Sequence, residues 1–236
     1  MVRLRIIARI RAWLLLALAA GPAACGGSAP EPAASPPAAE PSPSVTATRP
    51  VILCVGTSLT AGYGLDPDQA YPARLQEKIE AAGLDFRVVN AGVSGETSAG
   101  ARRRIDWLMD AQRVAVLVVE TGANDGLRGI DPDAARANIQ AVFDRARQQE
   151  PPPALVLIGM AAPPNLGSRY TQRFREIYPE LARTNGAVLV PFLLEGVAGI
   201  PRLNQPDGIH PTGEGQRLVA DVVWKHLQPM LLQLRR

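Results

Sequence analysis

Beyond residue 50 the chain holds five short apolar runs, at 51–55, 86–89, 114–119, 154–158 and 187–190. They lack the strict apolar–polar alternation of a half-exposed strand, which is the pattern of strands covered on both faces of a parallel sheet. The stretches between them repeat with helical period. One spans 71–82 with Leu75 and Ile79 on one face, and another 98–109 with Ile105 and Leu108 inward. A third spans 131–149, opening on Asp131-Pro132 and carrying a stripe of Ile139, Val142 and Phe143, and Pro151–Pro153 stop it. A fourth covers 170–184, and the last starts near Thr212 with Leu218, Val219, Val222, Val223 and Leu227 inward. Strand and helix in strict alternation predict one α/β domain over residues 50–236. Its architecture is a three-layer α/β/α sandwich with a five-stranded parallel sheet in flavodoxin-like order, 2-1-3-4-5. No internal repeat and no second domain is visible.

The first fifty residues have another character. Arg3, Arg5, Arg9 and Arg11 precede an apolar run at 12–20, the layout of an export signal too short to span a bilayer. Ala23 and Ala24 then lead into Cys25, and small residues before a cysteine resemble the bacterial lipobox, whose cysteine is lipidated. Pro22 stands where that pattern most often has leucine. The expected organisation is a signal peptide at 1–24, a lipidated Cys25 and a Pro/Ala/Ser-rich linker at 25–49. The competing reading is ordinary cleavage after Ala20, with Cys25 left as a free thiol. As polyproline II, at about 3.1 Å per residue, the linker would reach roughly 75 Å and hold a domain off a membrane surface.

Removing the leader changes the charge balance. The formal net charge is +3, but the leader holds four of the arginines, so residues 25–236 carry −1. The basic pI of 9.2 therefore gives no reason to expect a nucleic-acid partner. The chain has only two cysteines, Cys25 and Cys54. That excludes a disulfide framework or a cysteine zinc site and leaves Cys54 as a small buried residue of the first strand.

The candidate chemistry lies where strands end. The first run stops at Gly56 and continues as Thr57, Ser58, Leu59 and Thr60, which places Ser58 beyond the carboxyl end of a strand, where α/β sheets bind ligands. Asp207-Gly208-Ile209-His210 holds one of only two histidines. A serine, an aspartate and a histidine in that order suit nucleophilic hydrolysis, with His210 as base and Asp207 as its orienting acid. Gly92 after the second strand, Asn124 after the third and the N–H of Ser58 itself are candidate donors to a developing oxyanion.

Four blocks in this order resemble the SGNH (GDSL-type) hydrolase family from Val51 to Leu227. They are Gly56-Thr57-Ser58-Leu59, Asn90-Ala91-Gly92, Gly122-Ala123-Asn124-Asp125 and Asp207-Gly208-Ile209-His210-Pro211. The segments LTAGYG, NDGLRG and APPNLGSRY most resemble the periplasmic multifunctional thioesterase, lysophospholipase and arylesterase group. The resemblance implies a Ser58–His210–Asp207 triad, an oxyanion hole of Ser58, Gly92 and Asn124, and neither metal nor cofactor. It also implies a small-molecule or lipid acyl ester substrate. The chain departs from the pattern at Thr57, where the family has aspartate. Threonine can still brace the turn through its hydroxyl, but it brings no carboxylate.

Plainer roles compete for several of these residues. A serine after a strand is most often a cap or turn residue. Ser94 lacks the final glycine of a nucleophile elbow, which is Glu96, and His226 reads as a surface position on the last helix. Glu120 and Asp125 are candidate functional acids, with loop capping the plainer role. A Thr/Ser/Gly-rich loop also suits a phosphate cradle of the flavodoxin type, but that reading leaves Asn124 and the Asp/His loop unused. The function expected is a serine esterase on acyl esters or thioesters. A carbohydrate O-acetyl esterase stands second, and a non-catalytic binding lipoprotein on the same scaffold is the alternative from another class. The substrate face is expected among the loops at 62–65, 127–130 and 162–170.

Overall fold

The computed structural model describes residues 49–235; the expected signal peptide, Cys25 and nearly all of the linker lie outside them. Five strands, β1 (Val51–Gly56), β2 (Arg87–Gly92), β3 (Val114–Glu120), β4 (Ala154–Ile158) and β5 (Val188–Val190), form one sheet. Its order is β2-β1-β3-β4-β5, and every pairing is parallel. Both faces are covered by helices. α2 (Tyr71–Ala81) packs against α7 (Gly213–Leu234), while α3 (Ser98–Asp110), α5 (Pro132–Ala146) and α6 (Ser168–Asn185) pack in sequence beside one another. Two short helices, α1 (Ser58–Ala61) and α4 (Ala123–Leu127), begin directly beyond β1 and β3.

The apolar runs become strands because burial on two faces rewards an unbroken apolar sequence. All six residues of β1 are buried, and Val116, Leu117, Val118 and Val119 of β3 are fully so. Cys54 is among them, as expected of a small apolar side chain. Edge strand β2 is only half-covered, and it runs on through Asn90 and Ala91 to Gly92 in register with β1. The helices bury the expected stripes, Leu75 and Ile79 on α2 and Ile139, Val142 and Phe143 on α5. On α7, Val219, Val223 and Leu227 are buried, but Leu218 is turned outward at 36% exposure. The inward face is centred on Val219 and Ala220, and Leu218, about 200° round the helix from Ala220, falls outside it.

Helix starts follow local chemistry. Asp131 caps α5 by accepting from the Asp133 N–H, with Pro132 as its first residue, and Thr212 caps α7 by accepting from the Gly215 N–H. In this strand order the connection from β1 leads outward to β2 and the one from β2 crosses back to β3. A crevice therefore opens between the carboxyl ends of β1 and β3. α1 and α4 start on either side of it.

Candidate active site

Ser58 is the first residue of α1, two positions past the end of β1. Its predecessor Thr57 is extended (φ −97°, ψ −154°) and turns its hydroxyl back to accept from the Leu59 N–H. Gly62 ends the helix after one turn in the left-handed region (φ 75°), where its N–H donates to the Ser58 carbonyl. A strand that becomes a one-turn helix leaves the Ser58 side chain at the sheet's carboxyl edge. Thr57 is buried and donates to Glu120, the brace expected of its hydroxyl.

The Asp207–His210 loop reaches the same point from the far end of the chain. Gly208 takes a positive φ of 70°, which lets the loop fold back so that Asp207 and His210 face each other. His210 Nε2 stands 2.8 Å from Ser58 Oγ, and His210 Nδ1 stands 2.7 Å from Asp207 Oδ2. The other oxygen of Asp207 accepts from the backbone N–H groups of Ile209 and His210, at 2.9 and 3.0 Å. Those bonds, the one from the His210 N–H first, then the imidazole and the Ile209 N–H, hold the Asp207 pKa down to about 2. The carboxylate is therefore ionised throughout the working range.

Two further residues join this loop to the nucleophile turn. Gln205 Nε2 donates to the Tyr63 carbonyl at 2.7 Å and to the Pro211 carbonyl at 3.0 Å, while the Gln205 N–H donates to the His210 carbonyl at 2.7 Å. The Tyr63 ring lies against the imidazole with centroids 4.6 Å apart. Neither contact is visible in the spacing of the sequence, because both join segments about 140 residues apart.

Asn124 stands on α4, which begins at Gly122 with φ 102°. Its Nδ2 donates to the Glu96 carbonyl at 2.9 Å, which fixes the amide beside Ser58. Glu96 is held in turn by Arg104 in a half-buried ion pair with N···O of 2.7 Å. Asp125 accepts from the Ser98 N–H and hydroxyl, at 2.8 and 2.6 Å, and so caps the start of α3. Glu120 accepts from Thr57 and Thr60, and His226 sits half-buried on α7.

Gly92 departs from the expectation. Its N–H donates to Asn90 Oδ1 at 2.9 Å, and a Cβ there would stand 2.3 Å from the Ala61 nitrogen. Gly92 is a glycine because α1 packs directly onto it, and its N–H is already spent. The glycine that lines the crevice is Gly95, three residues on, in a left-handed conformation (φ 77°). With Ser58, Tyr63, Asn124, Leu127 and His210 it bounds a cleft of about 180 Å³. Ser94 lines the same cleft without a base beside it. The signal for Gly95 was present in Gly-Val-Ser-Gly-Glu, a second glycine just before the residue whose carbonyl orients Asn124.

The chemical capacity of the cleft follows from these positions. It holds a hydroxyl hydrogen-bonded to an imidazole and an ionised acid behind that imidazole, with Gly95 and Asn124 lining the same cleft. A larger cavity of about 860 Å³ lies at the opposite end of the sheet, bounded by Arg49, Phe86, Arg113 and Leu234 among others. Its walls carry no nucleophile and no histidine, so its size does not make it the reactive site. Among the described residues, no group of three or more His, Cys, Asp or Glu side chains is placed to hold a metal.

Known proteins resemble this chain in sequence and in fold. The chain is 41% identical over 180 residues to esterase TesA of Pseudomonas aeruginosa, covering 76% of this chain and 89% of that one. It is 36% identical over 180 residues to thioesterase 1/protease 1/lysophospholipase L1 of Escherichia coli, covering 76% and 84%. The solved structure of TesA superimposes with a TM-score of 0.72 at 40% identity, over 76% of this chain and 98% of that one. Esterase EstA from Pseudoalteromonas, in a structure inhibited by monoethylphosphonate, also gives 0.72, at 32% identity over 77% and 98%. The model of one family matches residues 54–218, and on that match and these identities the chain belongs to the GDSL-like lipase/acylhydrolase family.

Proposed function

We propose that the protein is a serine esterase of acyl esters and thioesters, with Ser58 as nucleophile, His210 as general base and Asp207 as its orienting acid. The observation that carries this reading is the unbroken run from Ser58 Oγ to His210 Nε2 (2.8 Å) and from His210 Nδ1 to Asp207 Oδ2 (2.7 Å). Ser58 Oγ adds to the acyl carbonyl as His210 takes its proton. The N–H groups of Ser58 and Gly95 and the Asn124 amide receive the oxyanion. Collapse breaks the ester or thioester bond, and the alcohol or thiol leaves with the proton from His210. Water, activated by the same imidazole, then releases the acid and restores Ser58.

The cleft favours an acyl group that lies open at its outer end. It holds only about 180 Å³, and Tyr63, Leu127 and Ile209 at its mouth are about half exposed. That small volume also supports a second reading, an O-acetyl esterase acting on carbohydrate. A series of p-nitrophenyl esters from acetate to palmitate, beside Ser58→Ala at pH 8, separates them. Turnover lost in Ser58→Ala and extending to long chains supports the lipid-ester reading, and turnover confined to acetate supports the acetyl esterase. An inactive wild type on esters, thioesters and lysophospholipid leaves the binding-protein alternative.

The leader and linker support export and tethering through lipidated Cys25, with the domain on the periplasmic side. A mass increase on Cys25 and partition into detergent are the expected results. A soluble, unmodified mature chain would remove the anchor.

A further inference from the structure

Behind the nucleophile lies a carboxyl that none of the steps above uses. Glu120, the last residue of β3, is fully buried. It accepts from the Thr57 N–H at 2.8 Å, from the Thr57 hydroxyl at 3.0 Å and from the Thr60 hydroxyl at 2.8 Å. Thr57 and Thr60 bracket Ser58. The lone pairs left on their hydroxyls face other partners: the Leu59 N–H for Thr57, and the Tyr71 hydroxyl, 3.0 Å away, for Thr60.

An ionised Glu120 only accepts, so both threonine hydroxyls must donate toward it and keep their lone pairs for Leu59 and Tyr71. A protonated Glu120 must itself donate to one of these hydroxyls, which turns that hydroxyl around and takes away the acceptor its own proton had. The departure at Thr57 matters here. An aspartate would put a second carboxyl about 3 Å from the first, and two such groups do not both ionise. With threonine, Glu120 is the only carboxyl of the turn.

We propose that Glu120 is a positioning residue for the esterase reaction, its carboxylate holding Thr57 and Thr60 so that Ser58 Oγ meets His210. The inference rests on the esterase reading. Protonation of Glu120 loosens that hold, so activity follows its ionisation. The ionisable groups facing Glu120 are Tyr71 on α2 and Tyr178 on α6, and Tyr71 in turn faces the buried Cys54 of β1. Arg104 on α3 reaches the Gly56 carbonyl at 3.4 Å but is paired with Glu96. Burial, opposed by the threonine hydrogen bonds, pushes the Glu120 pKa up to about 7, so the change falls within the assay range.

The test is kcat and KM on one p-nitrophenyl ester between pH 5 and 9, for wild type, Glu120→Gln, Thr60→Val and Thr60→Ser. A hydrogen bond to a charged group supports about a tenfold fall in kcat for Glu120→Gln at pH 8, with KM within about twofold. The acid limb of log kcat should be steeper in wild type than in Glu120→Gln, by about one unit of slope. Thr60→Val removes one donor without touching the acid and should lower kcat at unchanged KM, while Thr60→Ser restores it. Unchanged kcat and slope in Glu120→Gln, or full kcat in Thr60→Val, would overturn the inference. So would a fall in kcat, KM and melting temperature together, which marks a merely structural acid. A wild type inactive on every ester removes the esterase reading and this inference with it, an outcome distinct from failure of the variants alone.

Discussion

Replacing Asp207 by asparagine tests the orientation of the imidazole with almost no change of shape. One carboxylate oxygen accepts from two backbone N–H groups, of Ile209 and His210, and the other faces His210 Nδ1. An amide in this place has one acceptor and one donor end. Turning the NH2 toward the backbone would set it against two N–H groups, so the amide oxygen must stay there and the NH2 must face Nδ1. His210 is then forced into the tautomer with Nδ1 bare and Nε2 protonated. Nε2–H donates to Ser58 Oγ and cannot take its proton. A base locked in the wrong tautomer lowers kcat by about 10⁴ in serine proteases, or about 5.5 kcal/mol of barrier. The same order is expected for Asp207→Asn. The measurement is kcat for a p-nitrophenyl ester beside the urea midpoint, which should hardly move because the loop keeps its two backbone bonds. A loss below about tenfold with the fold intact would refute the tautomer argument and with it the assigned role of Asp207.

Three other outcomes follow from the same geometry. Asn124→Ala removes one oxyanion donor and should cost about 10²–10³ in kcat, with KM nearly unchanged on steady-state kinetics. Burial pushes the Cys54 thiol up to about 12, so a thiol reagent should label it only on unfolding, and fast labelling of the native protein would contradict its place in β1. Glu120 binds its proton more tightly in the folded chain, with a pKa of about 7 against an ordinary 4.5. Its contribution to stability is therefore full below pH 4.5 and lost as pH rises through 7, a decline of about 3 kcal/mol that urea unfolding at pH 5 and 8.5 should show and Glu120→Gln should flatten.

The sheet was legible in the sequence because its central strands are covered on both faces and their apolar runs are unbroken. β2 was read too short, as 86–89, because Asn90 looks like a loop residue; its side chain instead bonds the Thr60 carbonyl and the Gly92 N–H at the sheet edge. α1 and α4 were hidden for a related reason. Each is a single turn, and Ser58 and Thr60 in the one and Asn124, Asp125 and Gly126 in the other are residue types that read as loop. The serine, histidine and aspartate that the fold brings together could be singled out from their types and order. Gly92 could not be told from Gly95, since the difference lies in which N–H a neighbour has already taken and which glycine α1 packs upon. Gln205 and Tyr63 carry no chemical signature at all, and only folding brings them to the histidine.

The cleft has one further consequence, for how the protein changes over generations. The reacting groups are held by strand ends, backbone hydrogen bonds and a buried acid, all of them costly to disturb. The residues that would meet the far end of a substrate, Tyr63, Leu127 and Ile209, sit on turns with about half their surface in water. Substitutions at such exposed positions change stability by only about 0.5 kcal/mol. Selection can therefore rewrite which ester is preferred one surface residue at a time, while the chemistry stays fixed beneath.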